Sequence, residues 1–285
     1  MLYFYLFVFG LIIGSFLNVV VWRFDINNHI FSLNKLKGRS HCPYCGKTLQ
    51  WYELIPIISF IIQKGKCLSC KHQLSWQYPI IEIITGIIFV IVPFYFNKFY
   101  IFNPFKNELI ILWLLIFIFW LLVSAIDFKK MIIPNDLNFL LLLSGIILNL
   151  FLYFSKSNFI NNSFVNGYSF MFSFSNSFLV NRLLGLLPAF FLLILFMLSK
   201  GNWIGFGDVK LMISSGLILG WPDSFIGILL AFIIGGLIGI ILLVFGNKNL
   251  KSMIPFGPIL ILGMIITIFF GVDILKFYFL TFNFI

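Results

Sequence analysis

Residues 108–127 read ELIILWLLIFIFWLLVSAID, and this stretch decides the fold class. Between Glu108 and Asp127 every side chain is uncharged. A helix needs about 20 predominantly apolar residues to cross the hydrocarbon core of a bilayer. The stretch therefore predicts a membrane-spanning helix with a carboxylate at its carboxyl end.

Further apolar runs extend this prediction to the whole chain. Of its 285 residues, 61% are hydrophobic and 10% are charged, whereas soluble domains carry about 25% charged residues. This composition excludes a soluble globular protein and a disordered one. We predict an all-α integral membrane protein with about eight transmembrane helices, of which the sixth is short. The predicted spans are 2–22, 80–97, 108–126, 137–154, 183–199, 209–220, 224–245 and 255–272.

Positive charge is distributed unevenly along the chain. The net charge is +10, and most Lys and Arg residues lie in 23–79, 127–136, 200–208 and 246–254. Cytoplasmic loops of membrane proteins are enriched in these residues. This bias predicts an N-terminus outside the membrane and a cytosolic segment after the first span. Because the basic residues lie in short loops, we expect them to contact lipid headgroups, and we expect no nucleic-acid partner.

Three parts follow from this topology. Residues 1–23 form the first transmembrane helix, residues 24–79 form a small cytosolic module, and residues 80–285 form the main transmembrane domain. The segment 155–182 is rich in Ser, Asn and Phe, and we expect it to be an external loop.

All four cysteines of the chain lie in the cytosolic module as two C-x2-C pairs. Cys42 and Cys45 form the first pair, and Cys67 and Cys70 form the second. Each pair turns the backbone so that two thiolates converge, and two pairs complete a tetrahedral site for structural zinc. Two disulfides, a redox-active pair and an iron–sulfur cluster are the alternatives, although a reducing cytosol disfavours disulfides.

Two carboxylates lie on the same side of the membrane in the predicted topology. Asp127 ends the third span, which runs inward, and Asp208 begins the sixth, which runs outward. Ionisable residues at membrane depth are functional candidates because they are costly to bury. Two carboxylates that approach closely share a proton, so one can activate water while the other polarises a scissile carbonyl. The pair is typical of an aspartyl peptidase.

The neighbours of Asp208 fit this interpretation and also leave an alternative open. Gly205 and Gly207 have no side chains, so a substrate backbone could approach closely. In the alternative, both aspartates are interface residues paired with nearby lysines. Those lysines are Lys129, Lys130 and Lys210.

Several motifs in a fixed order give the chain a family resemblance. It resembles the type 4 prepilin peptidases, which are GxGD-type intramembrane aspartyl proteases. Asn135 stands where many members of that family have Asp. The motifs are GSFLNVV at 14–20 with Arg23, RSHCPYC at 39–45, WYELIP at 51–56, QYP at 77–79 with Glu82, AID at 125–127 with Pro134 and Asn135, GFGDVK at 205–210 and IPFGP at 254–258.

The resemblance implies an activity and a location. It implies catalytic roles for Asp127 and Asp208 in removing the leader of a prepilin or pseudopilin, at the cytosolic face of the bacterial inner membrane. Such enzymes serve type IV pili and type II secretion, and many also methylate the new N-terminus with S-adenosylmethionine. Residues 80–285 would then be the peptidase domain. The expected supporting residues are Gly205, Gly207 and Lys210 beside Asp208, and Glu53, Glu82 and Asp136 to attract a basic leader.

Three other functions compete with this one. One is a nonenzymatic assembly scaffold, which should tolerate loss of both aspartates. The chain could be a GxGD peptidase with another client, such as preflagellin, although the cysteine module argues against it. It could also be a proton-coupled transporter with a zinc-stabilised loop, because a buried aspartate pair also serves proton transport.

Overall fold

The computed structural model describes residues 1–25, 38–155, 163–165, 168, 177–246 and 254–281. Within these residues, regular structure is helical apart from two isolated β-bridges. The helices are α1 (Leu2–Arg23), α2 (Ile58–Ile62), α3 (Gln77–Phe99), α4 (Lys106–Lys130), α5 (Asn135–Phe154), α6 (Phe178–Leu184), α7 (Leu187–Ser199), α8 (Phe206–Leu219), α9 (Asp223–Val244) and α10 (Gly257–Thr281), with one 3-10 turn at Trp51–Leu54.

The predicted all-α membrane fold is confirmed, with one difference in length. Seven stretches of the described chain are long and apolar enough to cross a membrane, counting α6 and α7 together. The remaining predicted span, the sixth, is α8, which starts upstream of its predicted position and has 14 residues. At 1.5 Å per residue α8 is about 21 Å long, shorter than the hydrocarbon core of about 30 Å.

The fifth predicted span is interrupted near its start. It consists of α6 and α7, which are separated at Gly185 and Leu186. Pro188 lies in the first turn of α7, where its ring would clash with a helix that continued from α6. A Cβ atom at Gly185 would overlap the carbonyl oxygen of Gly216, so only glycine permits this backbone contact. The helix begins inside the predicted external loop 155–182, most of which lies outside the described residues.

The chain forms two compact units. Unit 1 comprises Met1–Phe102 and Lys106–Ile126. In this unit α1 and α3 cross in direct backbone contact, because a Cβ atom at Gly14 would lie 2.7 Å from the Cα atom of Glu82. Small residues at such crossings let membrane helices approach closely.

Unit 2 comprises Asn103–Phe105 and Asp127–Ile285. Here α8 contacts α5, α7 and α10, and α9 packs along α10. Arg182 of α6 lies beside the last turn of α8 and donates two hydrogen bonds of 2.7 Å, to the carbonyl oxygens of Ile218 and Leu219. The carboxyl end of a helix leaves such carbonyls without partners inside the helix. Arg182 therefore caps α8 from the neighbouring helix.

Candidate active site

Asp127 lies in the last turn of α4 and is 5% exposed. Its Oδ2 atom accepts a hydrogen bond of 3.2 Å from the backbone N–H of Gly257, the first residue of α10. The amides at the start of a helix have no partners inside the helix and carry partial positive charge. Asp127 thus receives its donor from a helix 130 residues further along the chain.

Asp208 lies in the first turn of α8 and is 8% exposed. Its Oδ2 atom accepts a hydrogen bond of 3.3 Å from the backbone N–H of Gly205, the residue that caps this helix. The amide of a cap residue is a common partner for an acidic side chain three positions later. The hydrogen-bond donor to Asp208 therefore lies at the start of the same helix.

Ile133 connects the two helix starts that carry these donors. A Cβ atom at Gly207 would lie 3.1 Å from the Cβ atom of Ile133, and one at Gly257 would lie 3.2 Å from its Cδ1 atom. The carboxylates of Asp127 and Asp208 interact electrostatically across this arrangement. The structure thus brings together the two aspartates that the sequence singled out.

Lys210 and Asp136 lie at neighbouring helix starts. The Nζ atom of Lys210 donates a hydrogen bond of 3.0 Å to Oδ1 of Asn135 and lies 4.8 Å from the ring centre of Phe206. Asp136 is in the first turn of α5. The amide at Asn135 accepts the lysine hydrogen bond as a carboxylate would, and the contact joins the starts of α5 and α8.

The four cysteines form one cluster in unit 1. Their sulfur atoms all lie within 4.8 Å of one another, and the sulfurs of Cys42 and Cys70 are 3.9 Å apart. A tetrahedral zinc site with Zn–S bonds of about 2.3 Å places its sulfurs about 3.8 Å apart. The cluster could therefore hold a metal ion.

The two cysteine pairs have the same backbone structure. The amide of Cys42 donates to the carbonyl of Lys47, and the amide of Cys67 donates to that of His72, both at 2.9 Å. Residues 42–51 and 67–76 share the pattern C-x2-C-x3-L-x-W. This short internal repeat escaped the sequence analysis, although the common spacing of Cys, Leu and Trp reveals it.

The repeated backbone affects one thiol of the cluster in particular. Hydrogen bonds from the backbone amides of Cys70 and Ser69 lower the pKa of the Cys67 thiol to about 6. Thiolates rather than thiols bind metals. The folded backbone thus favours the state of Cys67 that binds metal.

Comparison with known proteins places the chain in a family. Residues 8–96 match "Bacterial Peptidase A24 N-terminal domain", and residues 114–240 match "Type IV leader peptidase family". A prepilin leader peptidase/N-methyltransferase of Bacillus subtilis is 30% identical to the chain, with 96% of each protein aligned. The chain belongs to the type IV leader peptidase family. No solved structure matches it.

Two further relatives of this leader peptidase family have the same name. That of Aeromonas salmonicida is 30% identical over 97% of the chain and 94% of the relative. That of Pseudomonas aeruginosa is 29% identical over 94% of the chain and 90% of the relative. The resemblance seen in the sequence motifs is confirmed.

The type IV leader peptidase match contains both aspartates but ends before one of their contacts. Gly257 lies beyond residue 240, yet it donates the hydrogen bond to Asp127. The IPFGP motif at 254–258 supported only the resemblance, and neither Gly257 nor Ile133 was predicted to be a site residue. The glycine in the Pro-Phe-Gly-Pro sequence at 255–258 was the available signal for Gly257, whereas Ile133 carries no signal in the sequence.

Glu53 and Glu82 lie in unit 1 of this leader peptidase family member and line one cavity. Glu53 accepts hydrogen bonds from the backbone amide of Gln50 at 2.7 Å and from Nζ of Lys47 at 3.3 Å. Glu82 accepts a hydrogen bond of 2.8 Å from the backbone amide of Ile57. The structure groups these two carboxylates with each other, and their role toward a leader peptide stays a prediction.

Proposed function

We propose that the chain is an aspartyl peptidase of the bacterial inner membrane that removes leader peptides from prepilin- or pseudopilin-type precursors. Asp127 and Asp208 are the proposed catalytic residues. One observation supports this proposal above all. Two buried carboxylates interact with each other, and each accepts a hydrogen bond from a backbone amide at a helix start. The names of the relatives supply the substrate class.

The second oxygen of each carboxylate is available for chemistry. Asp127 and Asp208 each accept a hydrogen bond at Oδ2, and no described residue donates one to the Oδ1 atom of either. The backbone amides fix the orientation of both side chains and leave Oδ1 for water or substrate. Such preorganisation lowers the reorganisation that a reaction would otherwise require.

Peptide hydrolysis by the pair needs one shared proton. The ionised aspartate takes a proton from water as the water oxygen attacks the scissile carbonyl carbon. The protonated aspartate donates its proton to the carbonyl oxygen, so a neutral tetrahedral intermediate forms. When the C–N bond breaks, the first aspartate returns a proton to the leaving nitrogen. The carbonyl then re-forms as its hydroxyl proton returns to the second aspartate, which restores the starting pair.

The orientation of the chain belongs to the same proposal. With the N-terminus outside, the turn between α4 and α5 and the start of α8 lie at the cytosolic face. A precursor would lay its apolar helix against the enzyme in the membrane and present its basic leader junction at this face. Membrane lipid would surround the exposed apolar surfaces of the spans.

A zinc ion is the proposed occupant of the cysteine cluster. Cys42, Cys45, Cys67 and Cys70 would hold it with all four positions filled, so its role would be structural. We expect one zinc per chain, and Cys67→Ser protein should lose it, as measured by metal analysis of protein purified without added metal. Iron in place of zinc, or metal-free protein with reduced thiols and full activity, would contradict this assignment.

Methylation of the new N-terminus is the proposed second activity. Relatives named prepilin leader peptidase/N-methyltransferase support it. S-adenosylmethionine, when bound, supplies the methyl group for such a reaction.

One experiment tests both activities. The purified protein is incubated in detergent with a prepilin precursor and S-adenosylmethionine, and the products are analysed by mass spectrometry. We expect loss of the leader and the added mass of one methyl group. An intact precursor would contradict the peptidase, and a cleaved but unmethylated product would contradict the second activity alone.

A further inference from the structure

Two tryptophans hold equivalent positions in the repeated pattern of the cysteine module. Trp51 ends the first copy and begins the 3-10 turn, and Trp76 ends the second copy directly before α3. They are 76% and 70% exposed. Tryptophan is enriched where a membrane meets water, because its ring is apolar and its N–H group is polar. Since α3 is long and apolar enough to cross a membrane, Trp76 lies where this span enters the lipid.

Helix α2 exposes three isoleucines on one side. Ile58, Ile61 and Ile62 are 54%, 67% and 74% exposed. Positions three and four residues apart are neighbours on the surface of a helix, so these side chains lie together. Isoleucine is among the residues most often buried in proteins, and contiguous exposed apolar surface marks an interaction site. The exposed side of α2 therefore indicates contact with another apolar phase.

A strained turn fixes the depth of α2. Ile57 has a φ of 61° and a ψ of −52°, and the amide of Ile58 donates a hydrogen bond of 2.6 Å to the carbonyl oxygen of Pro56. This is the rare γ-turn with positive φ, which a β-branched residue seldom adopts. Such strain persists where the surroundings hold it, and here the amide of Ile57 donates to Glu82 at 2.8 Å.

The contact with Glu82 places α2 beside the membrane span. Glu82 is the sixth residue of α3, which puts it about 7.5 Å along the axis from the first residue at 1.5 Å per residue. The start of α2 is therefore level with the second turn of α3. Ile80 and Ile84 of α3 are also exposed at this level, so the apolar side of α2 continues the lipid-facing surface of α3.

The exposed side chains of α2 and the two tryptophans belong to one region of unit 1. The ring centre of Phe60, in α2, lies 5.2 Å from that of Trp76, and α2 also contacts the 3-10 turn that Trp51 begins. We call this region the interfacial patch, and its residues are Trp51, Ile58, Ile61, Ile62 and Trp76.

Basic residues follow the interfacial patch directly. Lys64 and Lys66 come just after α2 in the sequence, and both are exposed. Lysines close to a bilayer attract negatively charged lipid headgroups. Segments that lie in a membrane interface combine an apolar side, often with tryptophan, and basic residues in this way. The charge beside the patch therefore favours an anionic lipid surface as its occupant.

We propose that the interfacial patch inserts into the surface of a bilayer that contains anionic phospholipids, and that Lys64 and Lys66 bind the headgroups beside it. Interfacial segments bury their apolar side about 5–10 Å deep, a range that includes the depth set by the contact between Ile57 and Glu82. The cysteine module is then attached to the membrane through this patch as well as through α1 and α3. The inference goes beyond the peptidase reaction and does not depend on it.

Photolabelling of wild-type protein tests the insertion directly. The full-length protein is reconstituted in vesicles of phosphatidylglycerol and phosphatidylcholine with a phospholipid that carries a diazirine close to its glycerol. After illumination, peptide mapping by mass spectrometry measures the label in each segment relative to that in α9. We expect label in segment 51–62 and at Trp76. Label in the spans without any in 51–62 would overturn the proposal.

A double variant tests the apolar contact. Ile61→Asp together with Ile62→Asp should reduce the label in segment 51–62 at least about fivefold, because carboxylates disfavour insertion. Both side chains are largely exposed, so the folded structure should be kept. Ile101→Asp is the matched control, since Ile101 is 58% exposed and follows the opposite end of α3. It should leave the label in 51–62 unchanged, and an equal loss in both proteins would contradict insertion of the patch.

The lysines are tested by changing the charge of the lipid. Replacing phosphatidylglycerol by phosphatidylcholine should reduce the label in 51–62 of the wild type, and Lys64→Gln with Lys66→Gln should remove most of this dependence. Each lysine should account for about a fivefold change. Lys98→Gln, at the opposite end of α3, is the control and should behave as wild type. Label that is independent of lipid charge in the wild type would overturn the role of the lysines.

A second copy of the chain is the alternative occupant of the interfacial patch. If it covered the patch, segment 51–62 would stay unlabelled, and native mass spectrometry would show a dimer that Ile61→Asp with Ile62→Asp dissociates. That result would overturn the proposal. We expect instead that the wild type and this double variant have the same oligomeric state.

Discussion

The surroundings of Asp127 and Asp208 differ in one instructive way. Each carboxylate accepts one backbone amide at a helix start, but the donor to Asp208 is three residues away and the donor to Asp127 is 130 residues away. Asp208 is therefore oriented by its own helix. Asp127 is oriented only when the start of α10 lies beside it. A substitution at the start of α8 should consequently affect mainly Asp208, whereas one that displaces the start of α10 should affect mainly Asp127.

The largest expected effect comes from removing either carboxylate. Asp127→Asn and Asp208→Asn should each reduce cleavage by at least about 10²–10⁴-fold, because the pair needs one ionised and one protonated carboxylate. The measurement is the initial rate of leader removal by purified, folded protein. A folded variant that cleaves at nearly the wild-type rate would remove that residue from the mechanism.

The glycines that donate to the two aspartates should differ in sensitivity. A Cβ atom at Gly257 would lie 2.8 Å from Oδ2 of Asp127, whereas one at Gly205 would lie 3.3 Å from Oδ2 of Asp208. We expect Gly257→Ala to slow cleavage about 10–100-fold, since small displacements of catalytic groups cost this much. Gly205→Ala should slow it less than about tenfold.

A neutral control for these glycine variants is Gly236→Ala. No atom outside its own helix lies within 4 Å of a Cβ atom at that position. Its cleavage rate should match wild type. A larger loss in Gly205→Ala than in Gly257→Ala would reverse the comparison between the two carboxylates.

The pH dependence should report on the pair as a unit. If Asp127 and Asp208 share one proton, the rate falls at low pH, where both are protonated, and at high pH, where both are ionised. Each limb should approach about a tenfold change per pH unit. The initial rate is measured against pH in one detergent at fixed salt, and a flat profile from about pH 6 to 10 would exclude the shared-proton mechanism.

The smallest expected effect concerns Lys210, whose ammonium lies near the start of α8 and bonds Asn135. A nearby cation favours the ionised pair, so Lys210→Met should let the pair keep its proton to higher pH. The alkaline limb should therefore move to higher pH, by less than about one unit because Lys210 is partly exposed to solvent. A limb that moves to lower pH would show that Lys210 does not act on the pair electrostatically.

The sequence predicts those features that depend on neighbouring residues. Apolar runs located the spans because burial in lipid is a local property of composition. The two C-x2-C pairs were also visible, since each lies within a few residues. Gly205 was singled out only for its missing side chain, and its hydrogen bond to Asp208 was not predicted. The contact between Gly257 and Asp127 could not be predicted, because it depends on which helices pack together. The break at Gly185 had the same origin, since the carbonyl that requires a glycine there belongs to Gly216.

Because α8 is short, the thickness of the bilayer should affect how water reaches Asp208. Arg182 holds its carboxyl end and Asp208 lies in its first turn. If the Arg182 end lies at one interface, a helix of about 21 Å stops about 9 Å short of the other in a bilayer of about 30 Å. The lipid must then thin locally, or water must enter from the side at which α8 begins, for a scissile bond to be hydrolysed at Asp208. The rate of hydrolysis should therefore depend on the acyl-chain length of the surrounding lipid, as it depends on substrate concentration for a soluble protease.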